Sequence, residues 1–145
     1  MQRDELAVLI GGEAGQGLVT AGQLLTKAFI RAGYDVCVTQ SYQSRIRGGH
    51  NSYEIRVATR DVAAPADAID LLVALDAATV AIDRHARRPA GIIVAGEGVP
   101  AEDAVFPGPF SSFGPARYAT VAAAISTASS RNRQCSGSTC DGRFV

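Results

Sequence analysis

The sequence predicts a three-layer α/β domain, with a mostly parallel sheet and an antiparallel addition. Three observations carry that expectation. Short, fully apolar runs recur at Leu6–Ile10, Asp70–Leu75 and Gly91–Ala95, as expected of strands covered on both faces. Between the first run and the next strand-like stretch lies a segment of helical spacing, entered through glycines and left through a glycine. One stretch, Ser52–Ala58, alternates instead, with Tyr53, Ile55 and Val57 on one side and Ser52, Glu54 and Arg56 on the other. That pattern predicts a strand with one wet face, of the kind added antiparallel at the edge of a parallel sheet.

The elements follow in order. Leu6–Ile10 is a strand that runs into a turn from Gly11 to Gly17, where glycine permits positive φ and close approach of the backbone. From Leu18 to Ala32, the residues Leu18, Ala21, Leu25, Ala28 and Phe29 share one helical face, and Gly33 stands where a C′ glycine ends a helix. Tyr34–Thr39 is strand-like, so Leu6–Thr39 has the length and order of a parallel β-α-β crossover. Gln40–Gly49 reads as a loop and residues 61–68 as a linker containing Pro65. Asp70–Leu75 is a second buried strand, Ala77–Arg87 a helix broken by Pro89-Ala90-Gly91, and Gly91–Ala95 a third buried strand. Residues 96–115 read as a long Gly- and Pro-rich loop, and Ala116–Ser126 as a last short helix. The arrangement is Rossmann-like, over residues 1–128. Ser129–Val145 is a polar tail without period, expected to be disordered or aberrant.

Size and composition narrow the class. One domain is the simplest division of 145 residues. With 47% hydrophobic and 19% charged residues, the chain is globular rather than disordered. A formal net charge of zero gives no support to nucleic-acid binding. Three cysteines, Cys37, Cys135 and Cys140, lack the spacing of a zinc or iron–sulfur site, so no metal ligand is assigned. A polar start and the lack of any run near 20 apolar residues argue against a signal peptide or a membrane span. The expected compartment is a reducing cytoplasm.

Two stretches carry chemistry. The first is Gly12-Glu13-Ala14-Gly15-Gln16-Gly17, a strand-to-helix turn whose backbone N–H groups and helix dipole favour an anion. Ala14 stands at the middle glycine of the dinucleotide fingerprint, and no acid follows the second strand to take a ribose hydroxyl. A tight structural turn is the competing reading. The second stretch is Ser41-Tyr42-Gln43-Ser44-Arg45-Ile46-Arg47-Gly48-Gly49-His50-Asn51. It leaves the carboxyl end of a strand, where open α/β sheets bind ligands. Arg45 and Arg47 offer planar forks to a phosphate or carboxylate; a solvated or interface-forming loop is the alternative. His50 shows no acidic or nucleophilic partner at a fixed spacing and reads as structural. Asp76 reads as a helix cap. No catalytic residue is assigned.

Gly-Gly-Glu-Ala-Gly-Gln-Gly, followed by Leu-Val-Thr-Ala-Gly, Ala-Gly-Tyr and Ser-Tyr-Gln-Ser-Arg-Ile-Arg-Gly-Gly-His-Asn-Ser, resembles the gamma domain of the 2-oxoacid:ferredoxin (acceptor) oxidoreductases, the family of the pyruvate and 2-oxoglutarate enzymes. DLLVALD and GIIVAG continue the likeness, which covers about Leu6 to Ala95. The resemblance implies an accessory subunit or domain, inactive alone, of an enzyme that decarboxylates a 2-oxoacid oxidatively to an acyl-CoA. It implies thiamine diphosphate and iron–sulfur clusters on partner alpha and beta chains, with ferredoxin as acceptor. It places Gly12, Gly15, Gln16, Gly17, Ser41, Arg45, Arg47, Gly48, Gly49 and Asn51 toward CoA or a subunit interface. Ala14 replaces a glycine of the family's loop. The rival reading is a stand-alone nucleotide- or phosphate-binding α/β module.

Overall fold

The computed structural model describes residues 5–43, 49–96 and 104–108. Its elements are β1 (Glu5–Glu13), α1 (Leu18–Arg31), β2 (Asp35–Ser41), β3 (His50–Ala58), β4 (Ile69–Ala74), α2 (Ala77–Asp83), β5 (Arg87–Gly96) and β6 (Ala104–Gly108), with one 3₁₀ turn at Arg84–Ala86. They form a six-stranded sheet in the order β2-β3-β1-β4-β5-β6. The pairs β1/β4, β4/β5 and β5/β6 are parallel, whereas β3 is antiparallel to both β1 and β2. The expected α/β class, mostly parallel with an antiparallel addition, is the one observed.

The three apolar runs form the centre. Even-numbered residues of β1 (Leu6, Val8, Ile10) point to one face, where Val19, Ala21, Leu25 and Phe29 of α1 pack with Ile55, Val57, Leu71, Val73, Ile92 and Val94. Odd-numbered Ala7 and Leu9 share the other face with Ile69, Leu72, Ile93 and Ala95. On that second face α2 comes close enough to β1 that a Cβ on Gly11 would strike Thr79. The sheet thus separates α1 from α2, the three layers expected.

α1 ends as its sequence predicts. Gly33 has φ 87°, its N–H donates to Ile30 O, and the Tyr34 N–H reaches back to Phe29 O. This is a Schellman stop, and the Phe29 and Tyr34 rings close it edge to face at 6.2 Å. Gly22, and not the expected Ala28, completes the buried stripe. The helix crosses β3 there so closely that a Cβ on Gly22 would overlap the Tyr53 ring.

Four expectations are corrected. First, β1 and β2 run the same way but are not neighbours, because β3 lies between them and pairs residue for residue with each. The antiparallel strand is therefore interior and β2 is the edge. A strand's pattern records which face is buried, not which strands flank it. Second, the polar face of β3 is half covered rather than open to water. The 59–68 connection folds over it, with Ala66 N–H donating to Glu54 and Arg56 donating to the carbonyls of Ala64 and Pro65. Arg56 also meets Glu5 at 2.6 Å, and that hydrogen bond holds its guanidinium above the usual arginine range. Third, the second helix stops at Asp83 and β5 already begins at Arg87. Register jumps between the Ile69/Arg87 and Leu71/Ile92 pairs, so residues 88–91 bulge out of the ladder. Pro89 sits inside that bulge, where its missing N–H costs no ladder bond. Arg87 closes the bulge onto Gly91 O at 2.7 Å, and Arg88 reaches Asp70 at 3.3 Å. Fourth, the supposed long loop contains β6. Among the described residues it is the last strand in the order, pairing with β5 alone, a place that tolerates Pro107.

The expected helix at Ala116–Ser126 and the tail at Ser129–Val145 lie outside the described residues. Among the described residues, no helix is long and apolar enough to cross a membrane.

Candidate functional site: the carboxyl rim of the sheet

β1 carries the chain to Glu13 at one rim of the sheet, and Gly15 (φ 94°) and Gly17 (φ 78°) turn it into α1. Both conformations are left-handed, which glycine adopts without strain. Gly17 is the N-cap of α1, and neither a side-chain cap nor an acidic residue occupies the first turn. No acidic residue of the first turn opposes the positive end of the helix dipole and the leading N–H groups there. Gln16 braces the turn: its Oε1 accepts from Glu13 N–H at 3.1 Å. Gly12 makes room for this brace, since a Cβ there would lie 2.5 Å from Gln16 Oε1 and 3.0 Å from Leu75. Ala14 is exposed, as is Glu13.

The second loop opens on the same rim. β2 ends at Ser41, opposite Ser52, and β3 begins at His50, opposite Glu13. One interposed strand separates β1 from β2, so the two loops spring from points about 10 Å apart. The shared rim expected for adjacent parallel strands is therefore kept, although the strands are not adjacent. Ser41 is exposed at the end of β2. Asn51 is only 3% exposed, and its Oδ1 accepts from Gln43 N–H at 2.9 Å. Gly49 passes so near this point that a Cβ would lie 2.7 Å from the Gln43 backbone. Arg45, Arg47 and Gly48 lie outside the described residues. Gly12, Gly15, Gln16 and Gly17 thus come together at one end of the rim, with Ser41, Gly49 and Asn51 at the base of the neighbouring loop.

Sequence reading missed a third component. His50 Nε2 lies 2.7 Å from Asp83 Oδ2, with the two side chains 10% and 15% exposed. Asp83 comes from the end of α2, 33 positions along the chain, so no local spacing signals the pair. Gly11 leaves the space that it fills: a Cβ at Gly11 would sit 3.0 Å from the His50 ring, 3.1 Å from Asp83 and closer still to the Thr79 methyl. His50 Nδ1 is buried without a hydrogen-bond partner among the described residues. Asp76 caps α2 as expected, its Oδ1 accepting from Thr79 N–H at 2.8 Å and from Thr79 Oγ1–H at 2.9 Å. Asp76→Ala is expected to lower stability by about 0.5–2 kcal/mol, the usual cost of a lost cap, read as a fall in the urea midpoint.

An uncapped helix N-terminus of this kind favours an anion in general. The described residues do not fit an iron–sulfur cluster, because Cys37, in mid-β2, is the single cysteine among them and clusters need several thiolates. No group of three or more His, Cys, Asp or Glu among the described residues is placed to hold a metal.

The chain has relatives among known proteins. The family model described as pyruvate ferredoxin/flavodoxin oxidoreductase matches residues 7–133. The alpha subunit of 2-oxoacid:ferredoxin oxidoreductase 2 of Aeropyrum pernix is 34% identical over 90 residues, covering 62% of this chain and 14% of that protein. The 2-oxoglutarate synthase subunit KorC of Archaeoglobus fulgidus is 38% identical over 61 residues, covering 42% of this chain and 33% of that one. This chain therefore spans a small part of the length of these relatives. Among solved structures, the 2-oxoglutarate:ferredoxin oxidoreductase of Magnetococcus marinus, determined with 2-oxoglutarate, coenzyme A and succinyl-CoA bound, superposes with a TM-score of 0.64 at 21% identity, over 90% of this chain and 23% of that one. The gamma subunit of a keto/oxoacid ferredoxin oxidoreductase from Geobacter sulfurreducens superposes with a TM-score of 0.57 at 23% identity, over 78% and 57% of the two chains. At such identities the superpositions establish the fold alone. With the family model matched over most of its length, the chain belongs to the pyruvate ferredoxin/flavodoxin oxidoreductase family.

Proposed function

We propose that this chain is the gamma-type domain of a 2-oxoacid:ferredoxin oxidoreductase, an accessory part of an enzyme that converts a 2-oxoacid oxidatively to an acyl-CoA. Its partners are the thiamine diphosphate-bearing alpha and beta chains of the same cytoplasmic complex, with ferredoxin as electron acceptor. Iron–sulfur clusters and thiamine diphosphate reside on those partners. The rim of this chain faces the CoA side of the active centre, its Gly12–Gly17 turn and its Arg45- and Arg47-bearing loop receiving phosphate groups.

The observation that supports this reading best is the uncapped N-terminus of α1 on the rim from which the arginine-bearing loop also rises. A helix start of this kind favours phosphate through its N–H groups and dipole. Arginine forks on the neighbouring loop add charge and bidentate geometry.

Two measurements test the proposal. The isolated chain should not turn over pyruvate or 2-oxoglutarate, whereas the complex purified through a tag on this chain should reduce ferredoxin in a CoA-dependent manner. Turnover by the isolated chain would refute the accessory role. In thermal-shift titration of that complex, CoA at about a hundredfold its Kd should stabilise it by about 2.7 kcal/mol. Stabilisation of the isolated chain by NAD(P) or FAD, with none of the complex by CoA, would favour the stand-alone nucleotide-binding module instead.

A further inference from the structure

β2 ends the sheet on one side: among the described residues it pairs with β3 alone, which leaves the other edge of its backbone without a ladder partner. Exposed edges are usually blunted by a bulge, a proline or a lysine. Asp35–Ser41 carries none of these. Its register with β3 runs unbroken over all seven residues, and its one charge, Asp35, stands at the first position. Val36 and Val38 lie on the α1 face, half-buried against the core. Apolar surface is also open at both ends of the strand. Ahead of it, the last turn of α1 leaves Ile30 57% exposed. Directly after it, Tyr42 is 60% exposed, with its hydroxyl donating back to Gln40 of β2.

We infer that this edge is a homodimer interface, at which β2 of a second copy adds antiparallel across a two-fold axis through Val38. A two-fold interface uses the same patch on both copies and must be self-complementary. The sequence of β2 meets that condition. Centred on Val38, it sets Asp35 opposite Ser41, Val36 opposite Gln40, Cys37 opposite Thr39 and Val38 opposite itself. The two Asp35 carboxylates then stand at opposite ends of the pair, about 20 Å apart at the usual strand rise, and no like charges face one another. The same axis sets Tyr34, one residue ahead of β2, opposite Tyr42 of the second copy. The exposed ring after each strand thereby meets the Phe29–Tyr34 pair ahead of the other. A strand from an unrelated chain would owe nothing to this internal symmetry. A formal net charge of zero also spares two copies mutual repulsion. The pairing joins two six-stranded sheets into one and keeps both copies of α1 on the same face. It is independent of the CoA reading of the rim.

Sedimentation equilibrium of the full chain tests this, in reducing buffer so that no disulfide links two copies. The expected result is a monomer–dimer equilibrium. Asp35 and Ser41 are both exposed, so substitutions there leave the fold intact, which the urea midpoint checks. Ser41→Asp places two symmetry-related carboxylates against Asp35 of the opposite copy and should weaken dimerisation about tenfold at low salt. Ser41→Lys places two opposite charges there and should tighten it by about the same factor. The double variant Asp35→Lys with Ser41→Asp reverses each pair and should dimerise to within about twofold of Ser41→Lys. A chain that stays monomeric at every concentration overturns the inference and assigns the edge to another chain or to another part of this one. A dimer whose affinity ignores all three variants overturns it as well, because the interface then lies elsewhere. Equal weakening by Ser41→Asp and Ser41→Lys overturns the pairing through Val38.

Discussion

Replacing Ile55 by alanine is expected to cost about 2–5 kcal/mol of stability, the range for truncating a fully buried branched side chain. Ile55 is 0% exposed and sits at the middle of β3, opposite Val8 on one flank and Val38 on the other. Truncation there opens a void beneath α1, at the join between the edge strand β2 and the parallel half of the sheet. Close-packed interiors collapse only partly into such voids. The chemically identical change at Ile82, which is 53% exposed, should stay within about 0.5 kcal/mol. Urea unfolding followed by circular dichroism measures both, with the midpoint falling and the slope unchanged for Ile55→Ala. Equal midpoints for the two variants would sink the claim that β3 is an interior strand.

That interior placement is what the sequence concealed. The runs at Leu6–Ile10, Asp70–Leu75 and Gly91–Ala95 announced central strands because both of their faces are covered, and the sheet carries them as β1, β4 and β5. Gly33 announced the end of α1 because only glycine enters the left-handed turn cheaply there. Strand order is a different kind of information. The alternation in Ser52–Ala58 records one apolar face, and an edge strand would read the same. What covers the other face, the 59–68 connection, does so through its backbone groups, which bond Glu54 and Arg56, and has no period of its own. β6 stayed hidden for a related reason: Pro107 and Gly108 are turn residues in most contexts, and the last place in the strand order accommodates them.

The rim was legible in part. A strand running through glycines into a helix is a local signal, and the turn with its uncapped helix start is present. That His50 has a partner was not legible, because Asp83 reaches it only after the chain has completed β3, β4 and α2. Gly11 drew no functional reading either, standing outside the Gly12–Gly17 motif. Its importance lies in what its missing side chain lets meet.

Gly11→Ala is accordingly expected to destabilise the chain by about 2–6 kcal/mol. Among glycines of positive φ, Gly15, Gly17 and Gly33 appear but Gly11 does not, so its cost is steric rather than conformational. One added methyl would strike the Thr79 methyl and press on His50 and Asp83 at about 3 Å. Overpacking of this kind costs about 1–3 kcal/mol. Forcing His50 from Asp83 leaves a half-buried carboxylate without its donor, for about 1–3 kcal/mol more. Gly33→Ala makes a useful contrast, since nothing lies within 4 Å of its would-be Cβ. Its cost should be near 1 kcal/mol, from backbone strain alone. The two mechanisms separate in a double-mutant cycle. Thr79→Ser removes the obstructing methyl and keeps the hydroxyl that bonds Asp76, so it should recover part of the Gly11→Ala loss and none of the Gly33→Ala loss. Additive effects at Gly11 and Thr79 would mean that Gly11 is not the space through which α2 reaches the rim, and that Asp83 meets His50 for some other reason.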